Sequence, residues 1–313
     1  MEAAASFGNG FVIVDKYDPE IVDLTRKGGV LGQRINPKPA TGNPSRYVQQ
    51  NAIGSAQFSD AHTLAYTPYN ANRGEGSLMI KAITGSVDFG MLDIEVQAQQ
   101  NIFASLVAHD IQDMISAMLT ARDKNIWNGS DTSLTTPTTI EFVGLKTQIT
   151  NTASVATDES IIASLRTKIA AMCANTTLIV RPTAIYVNPL LLDFMEQEVM
   201  TYPQMFKDVL AKETEVIPGI SVPAIRTAAG IIPIVPDPFL PYVVNSGDNT
   251  LNDYPAVILT ENMVEMHYVT TPKPRIFQLG LIQDLATKYR GVLFEGLVAK
   301  YAASHHAWVT VTR

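Results

Sequence analysis

A long helical pattern without a break constrains the fold of this chain more than any other feature. Between residues 102 and 127, apolar side chains recur at steps of three and four residues, which puts them on one stripe of an α-helix. No glycine or proline occurs from Gln97 to Asn128, and Gly129 then provides a stop. At ~1.5 Å per residue, roughly 30 residues give a helix about 45 Å long. Few globular domains need such a helix, so we expect something large to lie along it.

The first 57 residues have the composition of an arm and not of a folded domain. They are rich in Gly, Asn, Gln and Pro, as in Gly28-Gly29 and Asn36-Pro37-Lys38-Pro39. Such a segment cannot bury enough apolar surface to fold by itself. We therefore expect it to become ordered by lying on something else.

Residues 62–96 alternate in a way that is typical of strands. Leu64 and Tyr66 begin the pattern, residues 70–76 read as a flexible polar tip, and apolar residues return from Leu78 onward. This pattern predicts a β-hairpin with a long loop. Because an isolated hairpin is only marginally stable in water, we expect neighbouring subunits to complete the fold.

The middle of the chain predicts a mixed region of helices and strands. Thr157 is a good N-cap for a helix that ends near Asn175. A short strand is expected at 184–187, and Asn188 then caps a helix that opens with Pro189.

Prolines are frequent from residue 201 to 253, and central strands reject proline because it cannot donate to the ladder. We expect edges, turns and loops there, apart from one short apolar strand at 231–236. Strands follow at 256–259 and 263–269. Alternation in 284–313 predicts paired strands that close a sheet beside the long helix.

This order of elements, with a helix that ends in Ile126-Trp127-Asn128-Gly129, resembles the major capsid protein of tailed phages. The resemblance runs from about residue 45 to the end and rests on element order and local sequence. It implies an α+β fold of the phage major capsid type (the Hong Kong 97 type, shared with encapsulins). The implied parts are an N-terminal arm (1–57), an extended E-loop hairpin (58–96), a P-domain with a long spine helix (97–150), an A-domain (151–270) and P-domain return strands (271–313).

The resemblance also implies a function. The chain would be a structural protein and not an enzyme, and it would self-assemble through pentamers and hexamers into the icosahedral head of a tailed bacteriophage. The head would enclose dsDNA without sequence-specific binding, and neither a cofactor nor a membrane is implied. Scaffold, portal and decoration proteins are the further implied partners. The chain would be made in the host cytoplasm and end in the virion.

We expect contacts between subunits to come from the arm and from the hairpin tip, through Arg46, Tyr47, Asn72, Arg73, Glu75 and Lys81. Some capsids of the family crosslink a lysine to an asparagine, and Lys81 is the only lysine of the predicted hairpin. The expected core of the P-domain comprises Leu106, Ile111, Ile115 and Trp127.

The charge of the chain disfavours a DNA-reading protein. The net charge is −7, and the densest basic positions, Arg26-Lys27 and Lys273 to Arg275, read as solvated turns. Sequence-independent DNA binding depends on basic residues that neutralise phosphates, so the composition suits a container of DNA better than a reader. No stretch approaches the ~20 apolar residues of a membrane span. No secretion signal is visible at the N-terminus.

The common catalytic and nucleotide-binding motifs do not occur in this sequence. Cys173 is alone, so an intrachain disulfide is excluded and a buried thiol is expected. His305 and His306 are adjacent, and in a strand they would point to opposite faces, which makes a shared metal difficult.

Three alternatives stay open at this point. An encapsulin-like compartment shell has the same fold but encloses enzymes, so shells with protein cargo and no DNA would favour it. An enzyme would have its site near His109 and Asp110, where Asp113 lies one turn away and could complete a metal edge or an acid–base pair. A solvated polar stripe on the helix explains these three residues equally. A tail or baseplate protein would form tubes or rings.

Overall fold

The computed structural model describes residues 28–54, 56–62, 70–90, 106–201, 210–217, 220–282 and 286–313. Within these ranges the chain has an α+β architecture, with one long helix, shorter helices and many strands. The helices are α1 (Val30–Arg34), α2 (Leu106–Asn128), α3 (Leu145–Gln148), α4 (Ile161–Cys173) and α5 (Pro189–Thr201), with a 3-10 turn at Glu261–Met263.

The strands of the first half are β1 (Asn36–Pro39), β2 (Ser45–Ala52), β3 (Asn72–Leu78), β4 (Lys81–Gly90), β5 (Thr152–Val155) and β6 (Ala184–Val187). Those of the second half are β7 (Leu210–Ile217), β8 (Ile220–Thr227), β9 (Gly230–Pro236), β10 (Val243–Val244), β11 (Asn252–Leu259), β12 (Val264–Tyr268), β13 (Arg275–Ile282), β14 (Ala286–Ala299) and β15 (Ala307–Thr312).

Helix α2 corresponds to the predicted long helix. Its described part has 23 residues and ends at Asn128, which confirms the predicted stop before Gly129. At ~1.5 Å per residue this part is about 34 Å long. Residues 97–105, which the pattern assigns to the same helix, lie outside the described residues.

The first sheet is built around β14. Strand β4 pairs antiparallel along one edge of β14, β12 and β13 pair antiparallel along the other edge, and β1 is parallel to β12. Helix α2 lies against β4 and β14, where Met114 and Met118 pack with Leu293. The predicted strands beside the long helix are therefore found in β14.

The second sheet has the order β5-β15-β11-β6-β9-β8-β7, with β10 added to β11. Strand β15 belongs here, between β5 and β11, so the prediction that all of 284–313 lies beside the long helix is wrong for this strand. The sequence pattern could not separate β14 from β15, because both alternate in the same way.

Both faces of the second sheet are covered, and β6 shows this most clearly. Ile185 and Val187 point into a core with α4 and α5, while Ala184 and Tyr186 point into a core with Trp127 at the end of α2. A strand that is buried on both faces reads as a continuous apolar run, and the sequence of this strand does.

Of the two predicted helix caps, the one of α5 is confirmed and the one of α4 is not. Asn188 accepts the N–H of Leu190 through Oδ1 at 2.9 Å, which confirms the predicted cap of α5. The prediction for Thr157 is wrong, because α4 begins at Ile161 and its N-cap is Ser160, whose Oγ accepts from the N–H of Ala163 at 3.2 Å. Both hydroxyl residues are good caps, so local sequence alone does not choose between them.

The proline-rich region is only in part a set of loops. Strand β9 confirms the predicted strand at 231–236, but β7 and β8 form a hairpin that extends the sheet, which the sequence analysis did not predict. Pro223 of β8 lies where the register with β7 shifts between Ala211 and Thr214. Proline is tolerated at such irregularities because no regular ladder bond is lost there.

Part of the predicted arm packs on the body of its own chain. In the arm root, which we define as residues 28–35, Leu31 and Ile35 are buried in the core beside Trp127. Ser45 at the start of β2 is also buried. We expected the arm to lie on something else, and Leu31, Ile35 and Ser45 lie on the body of their own chain. Residues 1–27 lie outside the described part of the chain.

The hairpin of the first half has a different pairing from the predicted one. Strand β2 pairs antiparallel with β3, so Asn72 to Gly76 form a strand and not the flexible tip that we expected. Glycine at position 76 makes room for the ring of Tyr47, since an added Cβ there would lie 2.3 Å from Cζ of Tyr47. A glycine that serves a cross-strand contact has the same local signature as a glycine in a loop.

Candidate assembly surfaces

The hairpin of β2 and β3 carries the most exposed apolar side chains near the front of the described chain. Val48 is 69% exposed, Ile53 is 58% exposed, and Phe58 in the connection between the two strands is fully exposed. Large apolar side chains that stay exposed are favourable positions for a contact with another protein.

The paired strands of the hairpin are attached to the body by contacts near both of their ends. Close to the connection, Tyr301 donates its hydroxyl to the carbonyl of Gln50 at 3.0 Å and accepts the N–H of Gln50 at 3.2 Å. Closer to the start of β2, Lys300 lies 5.4 Å above the ring of Tyr47. These contacts hold the paired strands on the body, while Val48 between them stays exposed.

The predicted contact residues of the hairpin fall into two groups. Asn72, Arg73 and Glu75 are exposed on β3, and Arg46 forms an exposed ion pair with Glu75 at 3.1 Å. Exposed pairs of this kind contribute at most about 1 kcal/mol, so both residues are available for other partners. Tyr47 is half-buried instead, and burial together with a nearby glutamate raises the pKa of its hydroxyl.

Lys81 is engaged within its own chain. Its Nζ lies 2.9 Å from Oδ2 of Asp131 and also donates to the carbonyl of Thr139, and the Asp131 side chain is fully buried. Burial alone would raise the pKa of Asp131, but hydrogen bonds from Thr138 and Lys81 hold it well below its usual range. Lys81 thus joins the start of β4 to the loop of residues 129–143 that follows α2, and in this conformation its amine is not free to crosslink.

The predicted core residues of the long helix differ in how deeply they are buried. Trp127 is 1% exposed and its ring lies 5.5 Å from that of Tyr186. Ile111 and Ile115 are half-buried, and Ile111 packs against the cluster of Met114 and Met118. The side chain of Leu106 lies outside the described residues.

The sequence analysis missed the two methionines that bring α2 onto the sheet. Met114 and Met118 pass over glycines in the two paired strands, Gly85 of β4 and Gly291 of β14. An added Cβ would lie 2.8 Å from Cγ of Met114 at position 85, and 2.6 Å from Sδ of Met118 at position 291. Glycine in mid-strand marks a close approach, and these two positions were the available signal.

A buried polar cluster, also missed, attaches the arm root to the body. Asp123 of α2 accepts the N–H of Gly29 through Oδ2 at 2.9 Å, and Asp237 after β9 accepts the N–H of Leu31 at 3.3 Å. Burial raises the pKa of Asp237, although hydrogen bonds from the N–H groups of Phe239 and Leu31 partly offset this rise. The donors in the arm root are free N–H groups at the start of a short helix, which carboxylates satisfy well.

A second cluster ties the start of β2 to β12. Glu265 accepts from Lys300 at 2.7 Å and from His267 at 3.1 Å, and Oγ of Ser45 lies 2.8 Å from Nδ1 of His267. Burial would raise the pKa of Glu265, but Lys300 and His267 lower it overall. A third partner, Lys38 of β1, lies 3.5 Å from the same carboxylate.

The residues proposed for an enzyme site do not form a closed pocket. Asp110 and Asp113 line an open groove of about 490 Å³ between α2 and β4. His109 is half-buried, directly before Asp110 on the same helix. Among the described residues, no group of three His, Cys, Asp or Glu side chains could hold a metal ion.

The adjacent histidines are buried within the fold, and the single cysteine is half-buried. His305 and His306 lie in the turn before β15 and not in a strand, and both are buried. Nε2 of His306 donates to the carbonyl of Lys300 at 3.1 Å, and burial lowers the pKa of His306 to about 4. Burial raises the pKa of the Cys173 thiol. No helix in the described ranges combines the length and the apolar character that crossing a membrane requires.

Comparisons with known proteins place the fold. No protein-family model and no curated protein matches the chain. The capsid of Myoviridae phage XM1 superposes with a TM-score of 0.63 at 11% identity, covering 97% of this chain and 100% of that chain. The capsid structure of cyanophage P-SCSP1u gives 0.62 at 12% identity, with 95% and 92% covered.

A protein compartment gives a similar value. The SrpI encapsulin from Synechococcus elongatus PCC 7942 has a TM-score of 0.65 at 11% identity, covering 94% of this chain and 91% of that chain. These likenesses extend over almost the whole chain and confirm the predicted α+β fold of the phage major capsid type. At this identity they establish the fold alone.

Proposed function

We propose that this chain is a major capsid protein that self-assembles into the icosahedral head of a tailed bacteriophage around dsDNA. The observation that carries the proposal is the likeness of fold, over 97% of this chain and 100% of the phage XM1 capsid chain. The exposed apolar side chains of the β2–β3 hairpin support it, because they are placed where a neighbouring subunit could cover them. The role is structural and not catalytic.

Assembly follows from physical properties of the subunit. A hairpin that reaches over a neighbour contributes little to its own core and much to a contact between copies. When each copy both offers and receives such a contact, the contacts are heterologous and close into rings of five or six. Weak contacts that repeat across a shell become stable together and can still be corrected while the shell grows.

The proposed parts of the chain keep the boundaries given by the sequence, with the placement of the arm root, β12 and β15 corrected as described. Residues 97–150 with α2 form the spine of a P-domain, and 151–270 form an A-domain apart from β12, which pairs with β14 in the first sheet. The proposed contact residues are Arg46, Asn72, Arg73 and Glu75. Tyr47 and Lys81 instead make contacts within the subunit, since both are engaged by their own chain.

The proposed partners beyond the chain itself are scaffold, portal and decoration proteins, and the packaged DNA. The net charge of −7 suits a shell that encloses DNA without binding it tightly. The proposed location is the virion, after synthesis in the host cytoplasm.

Electron microscopy of the purified chain tests the proposal. We expect closed, roughly spherical shells of uniform size, which should disappear when the chain is diluted below its assembly concentration. A chain that stays monomeric at high concentration in the presence of crowding agents and candidate scaffold would contradict it. Tubes or flat rings alone would favour a tail or baseplate protein.

The second candidate is an encapsulin-like compartment shell, which the likeness to the SrpI encapsulin favours. Its contents distinguish the two. Particles isolated from infected or expressing cells should contain nuclease-protected DNA for a phage head, whereas protein cargo without DNA would support a compartment.

A further inference from the structure

Glu295 is a buried carboxyl in the middle of β14, on the strand face that meets α2. Its side chain is 1% exposed. Oε1 lies 4.0 Å from Nη1 of Arg122, and Oε2 makes no hydrogen bond within the described part of the chain. A buried carboxylate that lacks hydrogen bonds is costly, so this position favours the neutral acid.

The guanidinium nearest to Glu295 is already committed to another carboxylate. Nε and Nη2 of Arg122 both donate to Oδ1 of Asp123, each at 3.2 Å. The other oxygen of Asp123 accepts the N–H of Gly29. Arg122 therefore lies between Glu295 and the carboxylate that binds the arm root.

The close packing around Asp123 leaves little room for a second arrangement. A Cβ added at Gly32 would lie 2.7 Å from Oδ1 of Asp123, and one added at Gly29 would lie 3.0 Å from its Cβ. The backbone of the arm root thus contacts the aspartate directly. Any shift of Asp123 or Arg122 toward Glu295 must be transmitted to residues 28–35.

We propose that Glu295 is a proton-controlled competitor for Arg122, and that its ionisation loosens the attachment of the arm root to the long helix. When Glu295 is neutral, Arg122 pairs with Asp123 alone. When Glu295 is ionised, its carboxylate and that of Asp123 compete for the guanidinium of Arg122 and repel each other. This competition is a property of the single subunit. Its consequence in a shell rests on the proposed function: there, proton uptake by Glu295 would be coupled to the position of the arm root.

The other charged groups around Glu295 do not relieve this competition. Lys81 of β4 and Tyr268 of β12 lie opposite Glu295 in the two strand registers, but the Lys81 amine is paired with Asp131 at 2.9 Å. Asp237 interacts unfavourably with Asp123 and so adds negative charge on the side of the arm root.

The direction of the pH dependence follows from these surroundings. Burial raises the pKa of Glu295 from 4.5 to about 7, Arg122 lowers it in part, and Asp123 raises it further. In an opened state, in which water again reaches the carboxyl, its pKa moves back toward the ordinary value of a glutamate. Because the closed state binds the proton more tightly, attachment is firmest below about pH 4.5 and weakens up to about pH 7. Above about pH 7 the strength of the attachment no longer changes with pH.

Hydrogen exchange of the arm-root amides tests the inference. The chain is measured in one assembly state, checked by light scattering, and protection is corrected for the intrinsic exchange rate. Between about pH 5 and about pH 7.5, protection of residues 28–35 should fall by about tenfold or more in the wild type. In Glu295→Gln the fall should be at least about threefold smaller than in the wild type, and the remainder comes from Asp237, whose pKa is also raised and which accepts the N–H of Leu31.

A matched control is Glu265→Gln, which removes a buried carboxylate of the same sheet whose pKa is lowered. Its pH slope at the arm root should equal that of the wild type, whatever its overall protection. Equal slopes in wild type and Glu295→Gln would overturn the inference.

A second measurement serves if Glu295→Gln does not fold. Carboxyl carbon NMR of the wild type should show one glutamate that titrates near pH 7 in parallel with the loss of arm-root protection. The absence of a glutamate that titrates above about pH 6 would overturn the inference. The measurement does not require shells, so a chain that shows this titration but never assembles would refute the proposed function and leave the inference intact.

Discussion

At the scale of single residues, the contact between α2 and the first sheet depends on two glycines. Gly85 and Gly291 are paired across β4 and β14, and Met114 and Met118 lie over them. The glycines let the helix approach closely, while flexible methionines fill the remaining space. A glycine in mid-strand signals a close approach, but neither strand shows which element approaches, because the helix is distant in the sequence.

Gly291→Val should therefore destabilise the subunit by about 1–3 kcal/mol, because the new side chain overlaps Met118. Urea unfolding at a concentration below assembly measures it. Gly42→Ala is the control and should change the free energy of unfolding by less than about 0.5 kcal/mol, since its Cβ would make an ordinary contact at 3.7 Å. Shortening Met118 to Ala in the Gly291→Val background should recover part of the loss, and a double variant no more stable than Gly291→Val would contradict the account.

Lys81→Met tests the buried pair at the start of β4. It leaves Asp131 buried without its cation, so we expect a loss of about 1–3 kcal/mol. Lys288→Met removes an exposed partner of Asp88 in the same sheet and should cost at most about 1 kcal/mol.

The pH dependence of this pair has a definite sign. Because the pKa of Asp131 is lowered, its contribution is present above the ordinary 3.8 and is lost as the pH falls below it. Thermal unfolding of Asp131→Asn should accordingly show a shallower acid loss than the wild type. An equal cost for Lys81→Met and Lys288→Met would show that the loop of residues 129–143 is not held by this pair.

At the scale of elements, the sequence predicts what is decided locally. The end of α2, the strand β6 and the cap at Asn188 follow from periodicity and caps, and the structure contains them. The pairing of β2 with β3, the addition of β7 and β8 to the second sheet, and the position of β15 depend on partners far along the chain. Burial of the arm root is of the same kind, since its carboxylate partners lie in α2 and after β9.

The start of α4 offers a direct test at this scale. Ser160→Ala should cost about 1 kcal/mol of stability, because it removes the side chain that caps the helix. Thr157→Ala should change the free energy of unfolding by less than about 0.5 kcal/mol. Chemical denaturation of both variants measures these free energies. A larger loss for Thr157→Ala than for Ser160→Ala would contradict the assignment of Ser160 as the N-cap.

At the scale of the whole molecule, the subunit has two sheets, of which the second is covered on both faces, and a largely polar hairpin that exposes a few apolar side chains. The cores on both faces of the second sheet, and the helix on the first, account for the stability of the body. The hairpin adds little to these cores, yet Val48, Ile53 and Phe58 expose large apolar area. The account therefore assigns the hairpin to contacts between copies.

The most direct measurement of this claim is the assembly of a hairpin variant by sedimentation and electron microscopy. Val48→Ser combined with Phe58→Ser should raise the concentration needed for shells by about tenfold or more, with the free energy of unfolding of the subunit changed by less than about 1 kcal/mol. The control, Ile179→Ser, removes an apolar side chain that is 84% exposed elsewhere and should leave assembly unchanged. Shells that form equally well with the substituted hairpin would contradict the account.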